Sequence, residues 1–240
     1  MAHLVQYMTK HPKKLSPLDQ IGWLSEQTQE LQSWFAANGR WRNVTAGQAL
    51  YLADDASDGF YGLGSGALDA EFAVKGVETL VRTRCQPGAW IGQGSLLPNR
   101  NRPVNLIAPT DSRVFFVPRQ ALRALLSYRP DFWPAFYALA IEHILILTNV
   151  LGETLALPPV ARLARLLLRL SVVDAEVSAS QHDLSALLCM PRTSLRRAVR
   201  TLTDAVVICT SYGRITVIDR AGLERYAMNT AATQPASLTA

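Results

Sequence analysis

Four arginines crowd one short stretch of the chain: Arg192, Arg196, Arg197 and Arg200 in PRTSLRRAVRTL. A guanidinium is a planar fork of N–H donors. It pairs two at a time with phosphate oxygens or with the O6 and N7 edge of guanine. Leu195, Val199 and Leu202 recur at the spacing of one helical stripe, and the arginines lie off that stripe. A helix built this way buries one side and offers the other to an anionic surface. Thr193 and Ser194 add hydroxyls at its N-terminal end. An arginine-rich face can equally be a solvated one, so the flanking elements decide between the two readings.

Upstream, Ser180 can cap a helix with Asp183 in its first turn, and Leu184, Leu187 and Leu188 give it a buried face. Leu188-Cys189-Met190 breaks that period. Pro191 lacks an N–H and fixes φ, so it suits the start of a new helix. Downstream, Ala205–Thr210 and Arg214–Ile218 are β-branched runs around the turn residues Ser211-Tyr212-Gly213. Two helices followed by a hairpin is a winged helix-turn-helix, with Tyr212 and Arg214 at the wing tip in reach of a DNA backbone. Asp219 caps a last helix ending near Tyr226. From Pro158 to Ala227 there are ten arginines, six acids and no lysine, a balance that favours bidentate contacts over diffuse charge.

The whole chain has 240 residues, a formal charge of +5 and 49% hydrophobic residues, enough for two domains with real cores. Its three cysteines, Cys85, Cys189 and Cys209, are odd in number and contain no CxxC pair. That argues against a zinc or iron–sulfur site and fits a reducing, cytoplasmic compartment; no cofactor is expected. The first residues, MAHLVQYMTKHPKKLSP, lack the apolar core of a signal peptide. An enzyme is disfavoured. Cys189 and His182 lie in the helix pair with no third group to orient them, and Gly62-Leu63-Gly64-Ser65-Gly66 reads as a strand-connecting turn and not a phosphate loop.

Ahead of the basic region the pattern changes. Ile21 to Gly39 reads as an amphipathic helix with Leu24, Leu31 and Trp34 on one side. Eight short β-type runs follow: Trp41–Thr45, Ala49–Leu52, Gly59–Leu63, Ala67–Val74, Glu78–Arg84, Ala89–Ile91, Val104–Ala108 and Ser112–Pro118. That number and spacing predict a sandwich or jelly-roll β-barrel. Phe136 to Leu157 is apolar enough to raise a membrane question, but Glu142, His143, Asn149 and Glu153 interrupt it, and charge is costly in lipid. Ile141, Ile144 or Leu145, Thr148, Leu151 and Leu155 instead approximate a heptad seam, where a second copy could pack; the plainer alternative is an ordinary buried helix. Leu157-Pro158-Pro159 stops that helix. The resulting α+β plan is a helical lead-in (1–40), an N-terminal jelly-roll β-barrel (41–127), a long dimerisation helix (128–157), a C-terminal winged helix-turn-helix (158–228) and a tail (229–240).

With these elements in order, the chain resembles the CRP/FNR superfamily of bacterial transcription regulators. HDLSALLCMPRTSLRRAVRTL with GRITVIDRAGL is similar to the family's recognition helix and wing. PGAWIGQGSLL is similar to its P-G-D-x-I-G-E turn, ARLARLLLRL to the helix opening its DNA-binding domain, and Tyr128-Arg129-Pro130-Asp131 to the start of its dimer helix. The resemblance implies a homodimer on a near-palindromic operator, in contact with RNA polymerase. It places base-reading arginines at Arg192 and Arg197, Thr193 where many members carry a glutamate, Ser194 where a hydroxyl meets phosphate, and Arg196 as added charge. In cyclic-AMP-binding members a glutamate holds the ribose and an Arg-Ser or Arg-Thr pair grips the phosphate. Here those positions hold Gln93 and Arg102-Pro103, with Thr148 where the dimer helix reads the purine. Gln93 lacks the charge, Pro103 lacks both hydroxyl and N–H, and the loop Gly94–Asn101 is one residue short. The expected pocket is therefore degenerate. A cyclic-nucleotide-responsive regulator with a modified pocket, or a protein-binding regulatory module, are the alternatives.

Overall fold

In the computed structural model, residues 15–73, 80–96, 100–171 and 175–228 are described. The first fourteen residues of the expected lead-in, the whole expected tail (229–240), the turn between the fourth and fifth strands, Leu97–Asn99 of the loop expected to be short, and Val172–Asp174 lie outside them. Two compact units divide within the long helix, between Ile144 and Leu145.

The first unit opens with a 3₁₀ turn, Trp23–Glu26, and helix α1, Gln29–Asn38, capped by Thr28. The single expected helix is broken at Gln27 and Thr28, whose backbone is extended with ψ 164° and 149°. Gly22, at φ 73°, turns ahead of the 3₁₀ segment, where a Cβ would lie 2.1 Å from the Gly88 carbonyl oxygen. Eight strands follow: β1 Arg40–Val44, β2 Ala49–Tyr51, β3 Gly59–Ser65, β4 Leu68–Ala73, β5 Leu80–Cys85, β6 Trp90–Ile91, β7 Asn105–Ile107 and β8 Ser112–Pro118. They pair antiparallel into two four-stranded sheets, ordered β1-β8-β3-β6 and β2-β7-β4-β5, giving the jelly roll. A helical turn, α2 (Gln93–Leu96), follows β6, and α3 (Arg119–Tyr128) follows β8.

Alternation along the strands feeds two cores. Phe60, Phe115 and Val117 face the lead-in and form a cluster with Trp23, Phe35, Trp90 and Phe136. Rings in that cluster sit 4.9–6.5 Å apart, mostly edge to face. Tyr61, Leu63, Val114 and Phe116 point into the roll against Tyr51, Leu68 and Leu106. The glycine-rich run expected as a turn is β3 itself up to Ser65; only Gly66, at φ 84°, turns. Its glycines admit rings: a Cβ on Gly62 would lie 2.7 Å from the Trp90 indole, and one on Gly64 2.5 Å from Trp41.

Helix α4, Trp133–Ala156, has 24 residues, about 36 Å at 1.5 Å each. Phe136 and Leu139 are buried, whereas Ile144, Leu145, Leu147, Leu151 and Leu155 are exposed. By length and composition alone Pro130–Ala156 could cross a membrane.

The second unit continues with α5 (Pro159–Leu170), β9 (Glu176–Ser178), α6 (Gln181–Leu187), α7 (Arg192–Asp204), β10 (Ile208–Ser211), β11 (Arg214–Val217) and α8 (Arg220–Met228). Its core joins Leu163 and Leu167 of α5 to Leu184, Leu195, Leu202, Ile215 and Leu223. Strand β9, which hydropathy did not suggest, adds to the hairpin in the order β10-β11-β9. Three residues are too few for a periodic signal.

Candidate functional site

Ser180 and Asp183 form a reciprocal capping box at the start of α6. The turn into α7 is tight. Cys189 takes φ 45°, Met190 N donates to the Ser185 carbonyl, and Arg162 of α5 donates to the Leu188 carbonyl. Pro191 precedes α7 as its N-cap residue without a side-chain hydrogen bond. Along α7, Leu195, Ala198 and Leu202 are buried, with Val199 packed beside them. The opposite face presents Arg192, Thr193, Arg196, Arg197 and Arg200, all exposed, with Ser194 half-buried. Arg192 Nη2 lies 3.0 Å from His182 Nδ1, which fixes its direction. Arg200 pairs with Asp204 one turn on, at 3.5 Å. Arg196 and Arg197 carry no ion pair among the described residues.

At the wing, Tyr212 and Gly213 close the hairpin between Ser211 and Arg214. Gly213 takes φ 71°, and Tyr212 is fully exposed. Arg214 donates to Glu176 of β9 at 2.8 Å, an ion pair that sequence reading missed because Glu176 lies 38 residues away. His182 meets Arg192, and Cys189 Sγ lies 3.7 Å from the Ala186 carbonyl.

The first unit holds Gln93 and Arg102; Thr148 is exposed on α4 in the second. The Arg102 side chain is fully buried inside the roll. Its Nη2 donates to Asp58 Oδ1 at 2.9 Å and to the Gly59 carbonyl at 2.7 Å, and its carbon lies 4.2 Å from the Tyr51 ring centre. The backbone joins in, with Arg102 N donating to the Asp55 carbonyl and Asp54 N to the Arg102 carbonyl. Gly92, at φ 117°, makes room: a Cβ there would lie 2.8 Å from Arg102 Nη1. Asp58 also accepts from the Tyr61 hydroxyl at 2.6 Å. Burial pushes the Asp58 carboxyl up, but the bonds from Tyr61 and Arg102 outweigh it and leave it below the usual range. Burial pushes the Tyr51 phenol up to about 12. Pro103 is exposed.

Gln93 is buried, with Nε2 2.7 Å from Nδ1 of His143 on α4. An amide NH₂ only donates, so Nδ1 accepts and the ring is neutral. Burial holds the His143 pKa low, in keeping with that state. Sequence alone took His143 as a polar interruption of the apolar helix; its bond to Gln93 spans 50 positions and has no local signal. Among the described residues no cluster of His, Cys, Asp and Glu could hold a metal ion.

Comparison with known proteins places these two units. The cyclic nucleotide-binding domain profile matches residues 41–129, and the Crp-like helix-turn-helix profile matches residues 161–226. FixK2 from Bradyrhizobium japonicum superposes with a TM-score of 0.71 at 16% identity, covering 80% of this chain and 99% of that one. A CRP/FNR-family transcriptional regulator of Thermus thermophilus gives 0.67 at 18% identity, over 80% and 100%. CLP, the c-di-GMP-responsive regulator of Xanthomonas campestris, gives 0.64 at 17% identity, over 78% and 97%. At these identities the likeness is one of fold. No curated protein sequence matches the chain significantly. A jelly roll of the cyclic nucleotide-binding type, a long helix and a Crp-like winged helix stand here in one chain, which has the domain content and order of the CRP/FNR-family transcription regulators that it resembles.

Proposed function

We propose that the protein is a cytoplasmic, homodimeric, sequence-specific DNA-binding regulator whose β-roll does not use cyclic AMP as its effector. The observation that carries the DNA reading is the two-sided helix α7. Leu195, Ala198 and Leu202 are spent on the core, and the arginine face is left outward beside an exposed wing. Arg197 and Arg192 read base edges from this face, and Arg196, Ser194, Tyr212 and Arg214 contact phosphate. Thr193, short and neutral, selects differently from an acid at that position. Symmetric pairing of α4 presents two such helices to half-sites one DNA turn apart, and the complex engages RNA polymerase. The exposed apolar face of α4 supports pairing with a second copy over crossing a membrane, because Glu142, Asn149 and Glu153 share that stretch.

Selection of bound sites from random DNA, with and without cyclic AMP and c-di-GMP, tests this reading. Near-palindromic sites are expected without either nucleotide; recovery of no specific site would overturn it. Arg192→Ala and Arg197→Ala are each expected to cost about 1–3 kcal/mol at the preferred site and to relax base choice at their own positions. Arg214→Ala should weaken all sequences alike, as loss of a phosphate contact does. Unchanged selectivity in both recognition-helix variants would refute the assignment.

The effector reading rests on two internal bonds. Arg102 is neutralised by Asp58 and buried under Tyr51, and Gln93 is engaged by His143. A cyclic phosphate would have to displace a carboxylate already in charge-assisted contact. Cyclic AMP is therefore expected to change operator affinity by less than about threefold, under 1 kcal/mol. Calorimetric titration beside an operator-binding assay checks it. Micromolar binding with a tenfold gain in DNA affinity would show that ligand outcompetes Asp58.

A further inference from the structure

Glu153 stands in the last turn of α4, where a negative charge opposes the helix dipole. Its environment accounts for it. Arg169 Nη1 donates to both carboxylate oxygens, at 2.7 and 2.9 Å, and Arg165 Nη1 lies 3.5 Å from Oε1. The Glu153 side chain is only 11% exposed between them. Arg165 also donates, through Nε, to the Ala227 carbonyl at 2.9 Å, near the C-terminal end of α8, where a cation is favoured. One carboxylate thus ties the end of the long helix to α5 directly, and through Arg165 to α8, all within the second unit.

The rest of the joint gives this contact its weight. Only Leu157 and Pro158 separate α4 from α5. Pro158 and Pro159 each have a fixed φ, so the junction bends at few bonds. Among the described residues, no side chain of α4 enters the apolar core of the winged helix. The direction in which α5 leaves α4 therefore depends on the two prolines and on the Glu153 clamp, set in a cleft that Ile146, Val150 and Leu157 also line. Arg162 and Leu163 of α5 in turn hold the α6–α7 turn and the core beneath α7, so the recognition helix moves with α5.

We propose that Glu153, gripped by Arg165 and Arg169, is the positioning residue that sets which half-site separation the dimer accepts. The inference rests on the DNA-binding dimer proposed above. Without the clamp each winged helix swings about the proline joint, so the two recognition helices tolerate operators of altered spacing. A single half-site is still read by the same arginines.

The test uses the full chain and its selected operator, remade with one base pair added or removed between half-sites. Wild type is expected to discriminate against either altered operator by about tenfold or more, since half-site spacing follows dimer geometry. Glu153→Gln should reduce that to about threefold or less, with base preference inside each half-site unchanged. Arg169→Gln severs the ion pair from the other side and touches no seam residue. It should act in the same direction even if Glu153→Gln disturbs dimerisation. Unchanged spacing discrimination in a dimeric Arg169→Gln variant overturns the clamp while leaving the DNA-binding reading intact. Failure of the wild type to bind any operator overturns that reading and the clamp with it.

Discussion

Leu151→Glu is expected to yield a folded monomer that binds the operator at least about a hundredfold more weakly than wild type, because joining two half-site readers raises affinity by roughly 10²–10⁴. Leu151 is 58% exposed on α4 and its neighbours along the face, Ile144, Leu145 and Leu155, are exposed as well. A contiguous apolar face of this kind marks an association surface. Two copies related by a two-fold axis bring Leu151 near its own counterpart, so the substitution places two carboxylates together in an apolar seam. The fold should survive, since the side chain contributes little to the chain's own core. Light scattering at micromolar concentration reads the mass, circular dichroism checks the fold, and a gel-shift titration reads affinity. An unchanged dimer mass would move the interface away from α4. A monomer with full operator affinity would remove the need for two half-sites.

Much of this architecture was legible because it depends on local pattern. Alternation and turn residues located all eight strands of the roll to within a few residues, though the ends of the fourth and fifth runs, Val74 and Glu78, fall outside the described residues. The stripe of α7 was visible because a helix with one buried and one polar face repeats its apolar residues every three to four positions. Its one adjustment, Ala198 in the core with Val199 at the margin, reflects how closely α7 approaches α5. What stayed hidden was long-range and polar. Nothing near Arg102 marks Asp58 or Tyr51 as its partners, and Gln93 gives no hint of His143. Such pairs are made by the closure of the roll and the docking of α4. Gly62 and Gly64 misled for a related reason: glycine suggests a turn locally, whereas here its missing side chain accommodates Trp90 and Trp41. Glu153 was read as a flaw in an apolar helix, and its meaning depends on α5 turning back at the prolines.

Arg102→Ala is expected to lower the stability of the roll by about 2–4 kcal/mol at neutral pH, less than a fully buried broken pair because Asp58 can rehydrate. Asp58 is half-exposed, whereas the guanidinium is fully buried and serves Asp58, the Gly59 carbonyl and the face of Tyr51 at once. Its loss leaves a buried carbonyl short of a donor and a void beneath the ring. Arg102→Lys should recover little, since one ammonium cannot span a carboxylate, a carbonyl and an aromatic face in the same geometry. The carboxylate adds a pH signature. Asp58 titrates below its unfolded value in the folded protein, so its contribution is complete above about pH 4, the ordinary carboxylate range, and is lost as pH falls through the depressed folded value. The stability gap between wild type and Arg102→Ala should therefore be widest at neutral pH and narrow in acid. Urea unfolding of both proteins at pH 7 and near pH 3 measures it. Equal midpoints at neutral pH would mean that Arg102 clamps nothing, and a gap of constant width would assign the effect to packing alone. The same quantity bears on the effector. A phosphate that drew Arg102 away from Asp58 would first have to make good what this variant loses, and Gln93, held by His143, offers it little help.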